Sequence, residues 1–232
     1  MLELHITHKN YSSWSLRPWL LMRQLGVPFA EVLHLLPPAG DWAAVRALSP
    51  SGRVPVLVDR ERDLLVWDSL AITETLHERL GPEGGVWPTD ARARGWARAA
   101  SAEMHSGFGA LRSICSMSCG VRVRLHAIAP SLATDLARLA ALFEDGLGRW
   151  GGPFLAGARF TAVDAFFAPV AFRAQTFHLD FPPMAAAYLE RLRALPDMVA
   201  WYRDALAEPW REAGHEADTL AHGVLVADLR AS

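Results

Sequence analysis

The sequence predicts an α/β domain over residues 1–81 followed by an all-helical domain over residues 90–232. Three observations predict it. Short apolar runs alternate with helical segments in the order β-α-β-α-β-β-α as far as Leu80. The Pro- and Gly-rich stretch Gly81 to Asp90 then reads as a linker. From Ala91 onward, Ala/Leu/Arg-rich segments carry helical spacing, and no strand pattern competes with them.

Leu2-Glu3-Leu4-His5-Ile6-Thr7 alternates as a strand does, and a polar loop runs from His8 to Ser13. Leu16 to Leu25 has helical periodicity and stops at Gly26-Val27-Pro28. Phe29 to Leu36 is a second strand, Pro37-Pro38-Ala39-Gly40 a loop, and Trp42 to Leu48 a short helix ending before Ser49-Pro50. Val54 to Asp59 and Leu64 to Trp67 are two more strands, paired through Arg60-Glu61-Arg62-Asp63. Asp68 and Ser69 open a helix that runs to about Leu80. The second half should hold helices at roughly 91–118, 131–149, 161–177, 184–193 and 197–207. The tail from Glu208 has weaker periodicity.

With 51% hydrophobic residues among 232, the chain can bury a sizeable core. No run approaches the roughly 18 apolar residues of a membrane span. The start lacks the basic and apolar regions of a signal peptide, so no membrane or secretory role is expected. The formal net charge of −2 gives no reason to expect nucleic acid. Lys9 is the only lysine, which we take as composition bias. Cys115 and Cys119 cannot make a disulfide framework. They read as reduced thiols of a cytoplasmic protein, and with no further ligands at metal spacing no metal is expected.

Three stations in the first half have chemical potential. Ser12 and Ser13 lie where the first strand gives way to the first helix. The N–H groups and about half a positive charge at that helix end favour an anion, and a hydroxyl there can donate to one; a serine that merely caps the helix fits the same pattern. In Arg53-Val54-Pro55, a cis proline would turn the Val54 backbone outward toward a peptide-like ligand. An ordinary trans proline at a strand edge is the plainer alternative. Asp68-Ser69 either caps the next helix or grips the amine and carboxylate of an α-amino acid.

Together, the three stations resemble the glutathione site of the glutathione transferase family. Gly157-Ala158-Arg159-Phe160-Thr161-Ala162-Val163-Asp164 is similar to the capping box of that family's helical domain, with Thr161 and Asp164 as its partners. The resemblance covers residues 2 to 205. It implies a thioredoxin-like N-terminal domain that holds glutathione as co-substrate, and an all-α C-terminal domain that supplies the pocket for a small hydrophobic electrophile. It also implies a cytoplasmic homodimer active in detoxification. Tyr11-Ser12-Ser13-Trp14-Ser15-Leu16-Arg17 looks most like the serine-type members, nearest the zeta-like bacterial branch. By that resemblance Ser12 stabilises the thiolate with Ser13 as its neighbour, whereas spacing of the theta and delta kind favours Ser13. Val54, beside Pro55, would bind the cysteinyl backbone, Asp68 and Ser69 the γ-glutamyl end, and Arg53 a glutathione carboxylate. Trp14, His105, Phe108 and Arg112 would line the electrophile pocket, the last three sharing one face of a long helix.

Two positions depart from the zeta pattern: Trp14 replaces a cysteine, and Thr176 stands where isomerising members carry an arginine. Conjugation is therefore the expected activity. The alternatives are a maleylacetoacetate- or maleylpyruvate-type isomerase and a non-catalytic module that binds glutathione or hydrophobic compounds.

Overall fold

The computed structural model describes residues 1–35 and 42–231; the loop expected at Pro37 to Gly40 lies outside them. The first half contains β1 (Leu2–Ile6), α1 (Ser13–Gln24), β2 (Ala30–Leu33), α2 (Ala43–Leu48), β3 (Val56–Asp59), β4 (Leu64–Trp67) and α3 (Ser69–Leu80). This is the expected element order. The four strands form one sheet in the order β2-β1-β3-β4, with β2 parallel to β1 and the other two pairings antiparallel. That arrangement is a thioredoxin-like unit. All four residues of β3 are buried, as an inner strand requires, whereas β4 is a half-exposed edge. The first helix ends where Gly26 adopts φ +65°, a left-handed turn that glycine enters without steric cost.

The second half is helical, with one departure. It contains α4 (Ala91–Ser106), α5 (Gly109–Ile114), β5 (Val121–Leu125), α6 (Pro130–Trp150), α7 (Ala162–Phe177), α8 (Pro183–Arg193), α9 (Pro196–Ala207), α10 (Ala213–Leu220) and β6 (Gly223–Asp228). The expected helix over 91–118 is thus two helices. Phe108 between them adopts φ +57° in the left-handed region, and Arg112 turns back to donate to the carbonyls of Gly107 and Met104. The expectation of a strand-free second half is also corrected, because β5 pairs antiparallel with β6 from the tail.

Helix α7 is buried on nearly every face, which explains its almost unbroken apolar sequence. It packs against α1, α4, α8 and β5, so it ties the two halves together. The expected capping box starts it: Asp164 accepts from the N–H of Thr161 at 2.9 Å while the Thr161 side chain completes the box. The same carboxylate also accepts from the N–H of Leu155 and the hydroxyl of Tyr188, both at 3.0 Å.

The loop before α1 is fixed by the second half. Glu208 accepts from the N–H groups of Lys9 at 2.7 Å and Asn10 at 3.1 Å, and Trp201 donates to the Lys9 carbonyl at 2.9 Å. The Lys9 ammonium lies 2.9 Å from both Glu31 and Asp204. These bonds set the position of Tyr11, Ser12 and Ser13. Among the described residues no helix is long and apolar enough to cross a membrane.

Candidate functional site

A cleft of about 720 Å³ opens at the start of α1. Its lining includes Ser12, Ser13 and Trp14 from that junction, Arg53 and Val54 from the approach to β3, and Arg112 from α5. Six of the residues singled out in the sequence therefore face one space. Arg173 of α7 and His215 and Asp218 of α10 complete it from the second half, with Ser116 and Met117 between α5 and β5.

The two serines are bonded differently. The Ser12 oxygen caps α1, accepting from the N–H of Ser15 at 3.2 Å, and its hydroxyl donates to Ser15 Oγ at 2.8 Å. Ser13 is buried on the first turn, and its oxygen accepts from Arg173 Nη2 at 3.4 Å. The proton of Ser12 is thus directed into the protein, while that of Ser13 remains available to an acceptor in the cleft.

The peptide bond between Val54 and Pro55 is cis. Val56 pairs with Trp67, so the chain just before β3 runs beside the chain just after β4. That register sets Val54 and Pro55 alongside Asp68 and Ser69, which open α3. Asp68 caps α3, accepting from the N–H of Leu70 at 2.7 Å, and holds φ +78°, ψ +135°. A non-glycine residue there costs on the order of 1–3 kcal/mol, and such conformations gather at ligand sites. Ser69 is 1% exposed, and its hydroxyl oxygen has no hydrogen-bond partner among the described residues. Asp68 lines a separate shallow hollow with Trp67 and Leu70. It is linked to the cleft through His105, whose Nε2 lies 3.4 Å from the Asp68 carboxylate and whose ring meets Trp14 edge-on at 5.2 Å. Burial holds the His105 imidazole below its ordinary pKa, with Arg17 and Arg112 adding to the effect against the pull of Asp68.

Of the expected electrophile-wall residues, Trp14 and Arg112 line the cleft and His105 backs it. Phe108 packs into the core at the break between α4 and α5. Thr176 is fully buried and donates to the Ser118 carbonyl at 2.7 Å. Sequence reasoning did not place Trp42, Arg46, Ser116, Met117, His215 or Asp218 at the cleft. Helical spacing carries no information about which loop or tail folds over a sheet edge. Neither cysteine faces the site chemistry: burial pushes the Cys115 thiol up to about 12. No group of three metal-ligating side chains occurs among the described residues.

A thioredoxin-like sheet joined to a helical half, with a cleft at the first helix start, defines the glutathione S-transferase class of fold. A family model of the glutathione S-transferase N-terminal domain matches residues 11–79, and one of the C-terminal domain matches residues 90–204. The chain belongs to the glutathione S-transferase family. It is 22% identical over 205 residues to the glutathione S-transferase-like protein OpS6 of Beauveria bassiana, covering 84% of this chain and 91% of that protein. Among solved structures it resembles a diazinon-metabolizing glutathione S-transferase of the silkworm Bombyx mori, with TM-score 0.69, 18% identity, and coverage of 88% and 97%. It also resembles a Burkholderia glutathione transferase homologue solved with bound glutathione, with TM-score 0.65, 18% identity, and coverage of 88% and 97%. Isozyme E7 of Drosophila melanogaster is similar at TM-score 0.66 and 20% identity, with coverage of 88% and 92%.

Proposed function

We propose that the cleft binds glutathione and that the protein transfers the glutathione thiolate to a small electrophile. The observation that carries this is that the Ser12–Ser13 helix start and Val54 line one cleft, while the pairing of Val56 with Trp67 sets Asp68 and Ser69, whose hydroxyl has no partner among the described residues, next along the sheet from Val54. The glutathione bound to the Burkholderia homologue of the same fold supports it. Residues 1–81 then hold the tripeptide and residues 90–232 gather the acceptor.

In this role Val54 pairs with the cysteinyl backbone, Arg53 meets the glycyl carboxylate, and Asp68 with Ser69 takes the γ-glutamyl end. The sulfur lies between Ser12 and Ser13. Ser13 donates its uncommitted proton to the thiolate, and the N-terminus of α1 adds its positive end. The thiol proton leaves to solvent. The thiolate attacks the electrophilic carbon, a C–S bond forms, and the carbon–halogen bond of a halogenated acceptor breaks with the electron pair leaving on the halide.

Calorimetry with glutathione, followed by a rate assay with 1-chloro-2,4-dinitrobenzene, tests the proposal. Binding with turnover is expected. Binding without turnover would make the protein a glutathione-holding module, and turnover of maleylpyruvate in place of conjugation would make it an isomerase. No binding at all would overturn the proposal.

A further inference from the structure

The cleft carries positive charge beyond the Arg53 assigned to glutathione. Arg53, Arg112 and Arg173 line it, and among the described lining residues the one aspartate is Asp218; Arg46 also lines the cleft but has an interaction of its own. Arg53 stands with Val54 at the peptide-binding edge. Arg112 and Arg173 come to the cleft from the helical half, as do Ser116 and Met117, and Trp14 lines it from α1.

Among the described residues these two arginines, and Arg17 near them, form no ion pair, although Asp135 attracts Arg112 and Asp68 attracts Arg17 from further off. Elsewhere in the molecule Arg60, Arg79, Arg98 and Arg230 each face a carboxylate. Among the described residues Arg112 donates to the carbonyls of Met104 and Gly107, and Arg173 to the Cys115 carbonyl and Ser13 Oγ. Arg17 is 1% exposed, and none of its three guanidinium nitrogens has a hydrogen-bond partner among the described residues. Its carbon lies 4.2 Å from the centre of the Trp14 ring and 5.1 Å from that of Phe166, and Arg112 lies 4.9 Å from the same Trp14 ring. Three guanidiniums from α1, α5 and α7 thus surround one indole and one serine. Burying like charges together is costly unless an anion offsets them. Burial, joined by repulsion from Arg112 and Arg173, holds Arg17 well below the ordinary arginine value.

Building on the glutathione function proposed above, we infer that Arg112 and Arg173, with the Trp14 ring, form a carboxylate subsite for the second substrate. The acceptor is therefore a planar electrophile that bears a carboxylate. The guanidiniums take the carboxylate, a geometry to which they are suited. The indole and Met117 take the apolar plane, which places the reacting carbon beside Ser13. Arg17 adds positive potential from below without touching the ligand.

A matched pair of acceptors tests this: 4-chloro-3,5-dinitrobenzoate and its methyl ester, each rate divided by the uncatalysed rate. One charge-assisted contact predicts a KM at least about tenfold lower for the acid than for the ester. In Arg112→Gln that preference should collapse, and Arg112→Lys should restore part of it; circular dichroism checks that each variant folds. Equal use of acid and ester by the unmodified protein overturns the inference. So does an equal loss on both acceptors in Arg112→Gln, which would place the arginine's action on the sulfur. Calorimetry without glutathione, using 3,5-dinitrobenzoate against 3,5-dinitrobenzamide, separates this inference from the function it builds on. If benzoate binds in preference to the amide but glutathione does not bind, the subsite stands and the transferase assignment falls. If glutathione binds and reacts while acid and ester are used alike, the subsite alone falls.

Discussion

Replacing Ser69 with alanine should make the free protein more stable and its glutathione complex weaker. The Ser69 hydroxyl is buried and has no partner among the described residues. Leaving such a group unsatisfied costs about 1–3 kcal/mol, so its removal returns part of that. The helix start is not lost, because the cap on α3 is the Asp68 carboxylate. Alanine also gains a few tenths of a kcal/mol as a helix former. A net gain of about 1 kcal/mol raises Tm by about 2–4 °C for a chain of this size. In the complex the same hydroxyl would donate to the γ-glutamyl carboxylate, a bond worth about 1.5–3 kcal/mol, so Kd should rise about 10- to 100-fold. Thermal unfolding without ligand reads the first effect and titration calorimetry with glutathione the second. A lower Tm would mean that the hydroxyl has a structural partner. An unchanged Kd would mean that glutathione does not reach α3.

Ser13→Ala should lower kcat/KM for conjugation by about 10- to 100-fold and shift its pH profile upward, as the bound thiol loses a hydrogen bond to its ionised form. Ser12→Ala should lose less activity but about 1 kcal/mol of stability through the cap on α1; the reverse order of activity losses would return the thiolate to Ser12. The tail should loosen in acid. Glu212, the cap of α10, is held down to about 2 by the N–H of His215 and further bonds, against its own desolvation. Glu216 is also lowered: burial pushes it up, and the bonds from Arg230 and Tyr11 outweigh that. Depressed carboxylates stabilise above their unfolded value and lose that contribution as pH falls through the folded one. Protection from hydrogen exchange over α10 and β6, taken relative to the intrinsic rate at each pH, should therefore fall between about pH 4.5 and 2. Trp67→Glu tests the homodimer that the family resemblance implies: the unmodified protein is expected to sediment at twice the mass of the chain and the variant at the mass of one chain, because Trp67 is 44% exposed on the edge strand β4. An unchanged mass would remove this face from any interface.

The first half was legible because its punctuation is local. Gly26-Val27-Pro28 ends a helix, Ser49-Pro50 ends another, and Asp68 announces a cap that the structure contains. The capping box at Thr161 was legible for the same reason, although the further bonds from Leu155 and Tyr188 to Asp164 were not, since they arrive from 9 and 24 residues away. The break at Gly107-Phe108-Gly109 carried a signal, two glycines in three residues, that the Ala/Leu spacing on either side masked. Val121-Arg122-Val123-Arg124-Leu125 alternates with the period of a strand. Its partner in the tail lies about a hundred residues on, and no local rule pairs segments at that distance. The arginine wall was legible only in part. Arg112 was expected at the electrophile pocket, but that Arg17 and Arg173 join it follows only from the packing that brings α1, α5 and α7 round Trp14 and Ser13.

Tyr11 decides whether the proposed chemistry needs a serine at all, because it is another hydroxyl at the same helix start and also lines the cleft. Its hydroxyl donates to Glu216 and accepts from Arg230 Nη1 at 3.2 Å. Burial, reinforced by Glu216, pushes its pKa up to about 12, so at neutral pH the phenol keeps its proton and points it at a carboxylate of the tail. To serve a thiolate, that proton would have to leave a charge-assisted bond for a weaker acceptor geometry, at a cost of about 1.5–3 kcal/mol. The Ser13 hydroxyl has no such commitment, because Arg173 donates to it and leaves its proton free. Tyr11 is therefore an anchor for α10, whose His215 and Asp218 close one side of the cleft. Tyr11→Phe should raise hydrogen exchange across residues 213–228 while changing the pH midpoint of conjugation by no more than a few tenths of a unit. An upward shift as large as that expected for Ser13→Ala would make the tyrosine, and not the serine, the group that holds the sulfur anion.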